Sequence, residues 1–440
     1  MRVRYRRIAF VLLLMVFSVT VVTEKSLCAE DGFWKNPPQT VVLDNGFTLV
    51  YQFDDSSATT VFHMIFKGGA KVQPPGKQGL AFLMTRLMLE VPDSYVFQDL
   101  MRLAPKYSML GKIDYSRINF SCLSEHLEKT LEIIASNVQD PLFTSTRISK
   151  VKEEMKYRRL GEEDDPVIVG HRVLVDKLLG DSGYGDAVLG TEESRRQIKR
   201  KDILRFYEKY IRANSIILVV STDLSMEIIR ELAETYFSQI SSGPEEYQES
   251  ISFGAPEEKE FNIEKQTTQS LVALGFSLPE LTTKNFTLAF LVEMLLGKGV
   301  NSRLWDLRAK ENLCYNVNSR VTYFKDGGIL EAYLETDTPR KEMALKAMRQ
   351  VFEKLFTDGL EREEFESTKT YAGSYLMRGM EAKELRVQNM GYFEIMGIGH
   401  HILEEISAVS LDEINTFIQR NFSLDDAVQV IVGPKPDITQ

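Results

Sequence analysis

The sequence predicts an α+β protein built from two homologous domains, each a largely antiparallel sheet covered by helices. Three observations carry this. First, three pairs of segments recur in the same order at a spacing of roughly 210 residues, too long for a solenoid repeat. Phe82-Leu83…Leu87-Met88-Leu89 matches Phe290-Leu291…Met294-Leu295-Leu296, and the helical stretch 127–134 matches 343–352. Ile203-x-x-Phe206 with Val219 thirteen residues on matches Ile414-x-x-Phe417 with Val430 thirteen on. Second, strand-like and helix-like stretches are mixed without regular βαβ alternation. Third, 440 residues exceed what one hydrophobic core usually serves.

In chain order, Arg2, Arg4, Arg6 and Arg7 precede an uncharged apolar run over 8–22, and Leu27-Cys28-Ala29 follows. This reads as a signal peptide over 1–29, cleaved before Glu30. The run is short against the ~20 residues that span a bilayer, although an uncleaved anchor stays open. Leu27 argues against lipidation at Cys28, because a lipoprotein site wants a small residue there. An N-terminal domain is expected over 38–240. Within it, Asn45-Gly46 between apolar runs marks a hairpin over 41–50, since Asn-Gly supplies the positive φ angles of a tight turn. Residues 61–67 alternate as a strand does, with Phe62, Met64 and Phe66 on one face and His63 and Ile65 on the other. Gly68-Gly69 and Pro74-Pro75-Gly76 end it. Residues 80–89 are apolar at helical spacing, and 216–220 read as a buried strand. Asp223 or Ser225 can cap a helix over 226–237. The polar, acidic, Gly- and Pro-broken stretch 241–258 is a connection, and a C-terminal domain is expected over 259–437.

Composition narrows the function. Removing residues 1–29 takes away five basic residues and one acid, moving the formal charge from −10 to −14. Such a chain repels phosphates, so nucleic-acid binding is not expected. Cys122 and Cys314, nearly 200 positions apart, form no disulfide framework. G-x-S-x-G, P-loop, Rossmann and Cys/His nucleophile patterns are missing. Of the five histidines, His63, His126, His171, His400 and His401, no two stand four apart. His400-His401 is the one cluster, and adjacency alone does not make ligand geometry. His63 reads as an ordinary strand residue.

Gly68-Gly69, Pro75-Gly76-Lys77-Gln78-Gly79-Leu80-Ala81, Leu189-Gly190-Thr191-Glu192-Glu193-Ser194 and Phe206-Tyr207-Glu208-Lys209-Tyr210, in this order, resemble the pitrilysin/insulinase metallopeptidases. So do Leu296-Gly297-Lys298-Gly299-Val300-Asn301-Ser302-Arg303-Leu304 and Leu307-Arg308 through Tyr315. The resemblance covers nearly the whole chain after residue 29. In length it is nearest the branch of the mitochondrial processing peptidase, whose two domains enclose a cavity.

Active members carry H-x-x-E-H on the first helix, two zinc ligands and a general base. Here the ligand positions are Phe82 and Arg86 and the base position is Thr85. Phe82 has no lone pair, Arg86 is a fixed cation and Thr85 does not titrate near neutrality. The third ligand is expected near Arg147, with Glu153 and Glu154 facing solvent. The resemblance therefore implies no catalytic group and no zinc of its own. Members place an arginine and a tyrosine seven apart in the second half, steadying charge on the scissile carbonyl oxygen. Arg308 and Tyr315 keep that spacing. Locally, Arg308 paired with Glu311 or Asp306, and Tyr315 opening a core strand, remain open readings. The expectation is a non-catalytic, exported, periplasmic or extracellular subunit that binds extended peptides beside a homologous zinc-bearing partner. A dead scaffold or a peptide-binding, chaperone-like protein is the alternative. Gly68 and Gly69 fit a close-passing peptide or simply a turn.

Overall fold

The computed structural model describes residues 34–90, 94–104, 106–180, 184, 188–244 and 256–435. The signal peptide expected over 1–29, and residues 245–255 of the connection, lie outside them. The first half contributes β1 (Gln39–Val42), β2 (Thr48–Phe53), β3 (Thr59–Lys67), α1 (Leu80–Leu87), α2 (Ser94–Leu103), β4 (Lys106–Gly111) and β5 (Tyr115–Leu123). Then come α3 (Leu127–Gln139), α4 (Ser145–Asp164), α5 (Pro166–Leu178), α6 (Glu192–Gln197), α7 (Arg200–Tyr210), β6 (Ile216–Thr222) and α8 (Met226–Phe237). The second half runs β7 (Glu260–Glu264), β8 (Ser270–Leu278), α9 (Thr283–Gly297), α10 (Trp305–Ala309), β9 (Asn316–Phe324) and β10 (Gly327–Thr336). It ends with α11 (Lys341–Asp358), α12 (Arg362–Arg378), α13 (Lys383–Met396), α14 (Ile402–Ala408), α15 (Leu411–Asn421) and β11 (Val428–Gly433).

One sheet has the order β1-β2-β6-β3-β5-β4 and the other β7-β11-β8-β10-β9. Without β1 the two orders are one scheme. A parallel pair, β2 with β6 or β7 with β11, sits at one side, and the remaining pairs are antiparallel. The repeated sequence segments fall at equivalent places: on α1 and α9, on α3 and α11, and on the α7–β6 and α15–β11 units. The α+β class with two helix-covered sheets is thus what the chain adopts.

Local chemistry explains the elements. Gly46 takes φ 84° in the turn between β1 and β2, where Leu43 N–H donates to Phe47 O at 2.9 Å. Phe62, Met64 and Phe66 of β3 are buried in the first core with Leu49, Phe120 and Leu218, so the alternation was legible. All seven residues of β6 are buried, as a central strand requires. Ser225 stands at the N-cap of α8 but its side chain makes no cap hydrogen bond. Asp223 instead accepts from the Ser124 hydroxyl.

The halves exchange a helix. Asp165 caps α5, accepting from Val167 N at 2.8 Å, and Pro166 opens it. Its Leu174, Val175 and Leu178 are buried with Leu271, Ala273, Val430 and Val432 of the second sheet. In return α13 packs on β3 and β6 of the first sheet. Each crossing is made close by a glycine. A Cβ at Gly170 would lie 2.4 Å from Leu271 of β8, and one at Gly391 would lie 2.6 Å from Ile65 of β3. A fully buried Leu or Val side chain is worth about 1.5–3 kcal/mol, so neither sheet is adequately covered by its own half.

Candidate functional site

The helix expected to carry a metal site is α1, which starts from Gly79 in the left-handed region and packs against α4. Phe82 and Arg86 stand one turn apart on its α4-facing side. The Arg158 guanidinium lies 5.5 Å from the Phe82 ring centre. Arg86 donates to Glu154 Oε2 at 3.1 Å and to Glu90 Oε1 at 2.7 Å. Glu154 also accepts from Arg158 at 3.0 Å. Thr85 is wholly buried and its hydroxyl donates to Ala81 O at 2.9 Å.

This corrects one expectation. Arg147 does not face Phe82 and Arg86; its guanidinium donates to Glu90 O at 2.9 Å, at the end of α1. The carboxylate opposite Arg86 is Glu154, two helical turns further along α4, which therefore does not simply face solvent. Helical geometry decides this, because residues seven apart on α4 share a face but sit about 10 Å apart along the axis.

The residues present do not fit zinc. Of Phe82, Thr85, Arg86 and Glu154 only Glu154 is an ordinary zinc ligand, and both its oxygens are held by arginines. A permanent guanidinium charge stands where a metal cation would balance that carboxylate. Among the described residues no group of three or more His, Cys, Asp or Glu is placed to hold a metal ion. His400 and His401 approach different carboxylates, Glu394 and Glu405, and do not converge.

Phe82 and Arg158 border a groove of about 400 Å³. It shares Leu110, Gly111, Glu162 and Leu189 with a cavity of about 530 Å³ between the halves. Residues from both halves line the larger space, among them His171 and Arg172 of α5, Tyr323 of β9 and Tyr392 of α13. Glu331 of β10 is 1% exposed and accepts from His171 Nδ1 and Arg320 Nε, both at 2.6 Å. Burial would raise its pKa, but the His171 hydrogen bond and the Arg320 charge hold it below the ordinary value.

The β4–β5 and β9–β10 tips meet beside this cavity. Lys325 N–H donates to Asp114 Oδ2 at 3.2 Å, Tyr184 donates to Asp326 at 2.9 Å, and Lys71 pairs with Asp326. Burial pushes the Asp114 carboxyl up to about 6, and neighbouring Asp326 adds to this against the pull of Lys325 and Lys71. An acid raised in the folded state above its unfolded value costs stability as pH rises through the interval between them. Asp114→Asn is therefore expected to raise stability at pH 7 by about 2 kcal/mol and to change it little at pH 3.5. Urea unfolding at the two pH values checks this; an equal effect at both would reject it.

Gly69 has a purpose inside the chain. A Cβ there would lie 2.4 Å from both Lys112 O and Tyr115 N. The segment after β3 hydrogen-bonds to the tip, Ala70 N–H to Lys112 O and Lys71 N–H to Ile113 O. The close approach is thus to the protein's own hairpin rather than to a peptide. Because the colliding atoms are backbone, Gly69→Ala is expected to cost more than about 3 kcal/mol. Thermal unfolding would show it, and an unchanged midpoint would refute the packing argument.

Arg308 and Tyr315 are not among the described residues lining the groove or the cavity. Arg308 is exposed on α10, stacked over Trp305 at 4.7 Å. Neither local pairing forms: Asp306 pairs with Lys310 at 2.7 Å, and Arg308 has no carboxylate partner among the described residues. Tyr315 leads into β9, its N–H donating to Glu335 O at 3.1 Å, but its side chain is 80% exposed rather than in a core. The loop between them is firmly held. Asn312 takes φ 50°, Arg340 donates to Asn312 O at 2.7 Å, and Leu313 N–H donates to Leu307 O at 2.9 Å. Burial pushes the Cys314 thiol up to about 11 against the pull of Arg308, which puts the guanidinium's field on this loop. Arg303, by contrast, is structural, forked onto Glu364 at 2.7 and 2.8 Å.

Sequence reasoning missed the inter-half groups His171, Glu331, Arg320, Asp114 and Asp326. The one available signal was that Lys112-Ile113-Asp114 and Lys325-Asp326 fall at equivalent tips of the repeat.

Residues 197–371 match the family model described as Peptidase M16 inactive domain. A non-peptidase homolog, YmxG, of Helicobacter pylori is 23% identical over 398 residues, covering 88% of this chain and 92% of that protein. The crystal structure of a peptidase M16 inactive domain from Pseudomonas fluorescens superposes with a TM-score of 0.82 at 20% identity, over 91% of this chain and 98% of that one. A shorter match, 20% identical over 204 residues, is to the alpha-1 subunit of the mitochondrial-processing peptidase of Dictyostelium discoideum, covering 45% of this chain and 31% of that protein. With Phe82 and Arg86 at the expected ligand positions, a buried threonine at the expected base position and the fold of the M16 inactive domain, the chain is similar in sequence and fold to non-catalytic homologues of the M16 (pitrilysin/insulinase) peptidases.

Proposed function

We propose that the protein is the non-catalytic subunit of an exported two-chain zinc peptidase, lending Arg308 and Tyr315 to a zinc-bearing homologue that cleaves extended peptides. The observation that carries this is the contrast between its two halves. The first half has closed its metal position with ion pairs. The second half holds an arginine and a tyrosine outward on a rigid loop, with no acidic partner of their own among the described residues. Donors kept fixed and unpaired are what stabilisation of a developing oxyanion needs. The match to a subunit of a processing peptidase supports the partner, and the N-terminal pattern supports export to a periplasm.

A tagged pull-down of the full chain from its native host, with mass spectrometry, tests the reading. A roughly equimolar chain carrying H-x-x-E-H is the expected result. Recovery of the protein alone or as a homodimer would overturn it, as would chelator-sensitive peptidase activity of the purified chain. The second reading, a scaffold that handles no peptide, is favoured by the name of its Helicobacter relative, a non-peptidase homolog. It predicts that Arg308→Ala and Tyr315→Phe change nothing in any assembly.

A further inference from the structure

The face of the first sheet turned toward α13 changes character along its width. Near β6 it is apolar, and Gly391 lets α13 close onto Ile65 and Val219. Toward the edge it is polar. Ser108, Asn119 and His63 lie in one row across β4, β5 and β3, and Arg117 stands two residues from Asn119 on the same face. There Glu384, Leu385 and Gln388 of α13 and the sheet line a groove of about 450 Å³, within the range of small-ligand sites.

Arg117 and His63 are 5% and 4% exposed. Arg117 donates to Gln388 Oε1 at 3.3 Å, but its Nε is buried without a partner, and it pairs with no carboxylate among the described residues. His63 Nδ1 and Asn119 Oδ1 are likewise buried and unpartnered, while Asn119 Nδ2 donates to Ser108 Oγ at 2.9 Å. Burial, then the Arg117 charge, holds the His63 pKa well below its ordinary value, so the ring is neutral and offers an N–H without adding charge. The acid lining the groove, Glu384, is half exposed and lies 3.8 Å from Lys106. A buried guanidinium without a counter-charge is costly, and several unpaired polar atoms around one space are rarer than one alone.

We propose that this groove binds a monoanionic carboxylate with an apolar body, held by the Arg117 guanidinium with the His63 ring beside it. One buried guanidinium matches the charge and planar two-oxygen shape of a carboxylate. A dianionic phosphate would leave a charge unbalanced. Val61 and Leu385 line the same space and suit an alkyl portion. The carboxylate is that of a small acid or of a peptide C-terminus. The inference does not depend on a zinc-bearing partner and is tested on the chain alone.

Calorimetric titration of the full chain with hexanoate, hexanamide and inorganic phosphate is the test, alongside one apolar pentapeptide with a free or amidated C-terminus. Saturable binding of hexanoate with at least about tenfold weaker binding of hexanamide and phosphate is expected. Arg117→Met should weaken hexanoate by about tenfold or more. Leu385→Trp, at an exposed position at the mouth, should do the same by obstruction if the first variant folds poorly. Tighter binding of the free-acid peptide than of hexanoate identifies a peptide C-terminus as the source, and equal or weaker binding a small acid. No carboxylate binding to the wild-type chain, or undiminished binding in both variants, would overturn the proposal.

Discussion

In an assembly with the proposed zinc-bearing partner, Arg308→Ala is expected to lower kcat by about 10²–10³-fold while KM moves little. Tyr315→Phe, which removes one hydroxyl and leaves the ring, should cost about tenfold or more. The reasoning rests on preorganisation. Arg308 is stacked on Trp305, and the loop to Tyr315 is tied by Arg340 to Asn312 O and by Leu313 to Leu307 O. Donors so held lose little freedom when they meet a developing oxyanion, so their contribution falls in the transition state. A loss confined to KM would assign them to uniform peptide binding instead. Unaltered turnover with both variants would make the exposed pair a surface accident and leave the scaffold reading standing.

Restoring two imidazoles should restore a metal. The double variant Phe82→His with Arg86→His is expected to bind one zinc per chain at micromolar affinity or tighter, about 8 kcal/mol or more, where the wild-type chain retains none. Residues 82 and 86 share a helix face, and removal of the guanidinium frees Glu154 Oε2 as a third ligand. Zinc content after dialysis is the measurement, with Glu154→Gln added as the control that should abolish retention. Zinc held equally well with Glu154→Gln would show that Glu154 is not the residue facing the lost site. No peptidase activity should follow, because Thr85, at the base position, is wholly buried against Ala81 O.

Much of this was legible in the residues. A hairpin at Asn45-Gly46, alternation in β3 and the apolar run of β6 are local signals, and local sterics and burial settle them. The side chains at the expected metal position were equally legible, because they are a matter of residue identity at a fixed helical spacing. Its third member was not. Glu154 rather than Arg147 meets Arg86 because α1 and α4 cross where their packing puts them. Spacing along one helix carries no information about the other's rotation.

By itself the sequence determined that the fold is doubled, and that Phe82, Thr85 and Arg86 stand where the resemblance expects two zinc ligands and a base. Only the tertiary structure decided that α5 covers the second sheet and α13 the first, that the hairpin tips meet through Asp114 and Asp326, and that Arg117 lies buried without a counter-charge among the described residues. The physical reason is common to all three. Apolar periodicity says that a face must be covered but not by which segment, and a charge's partner is set by contacts hundreds of residues away in the chain.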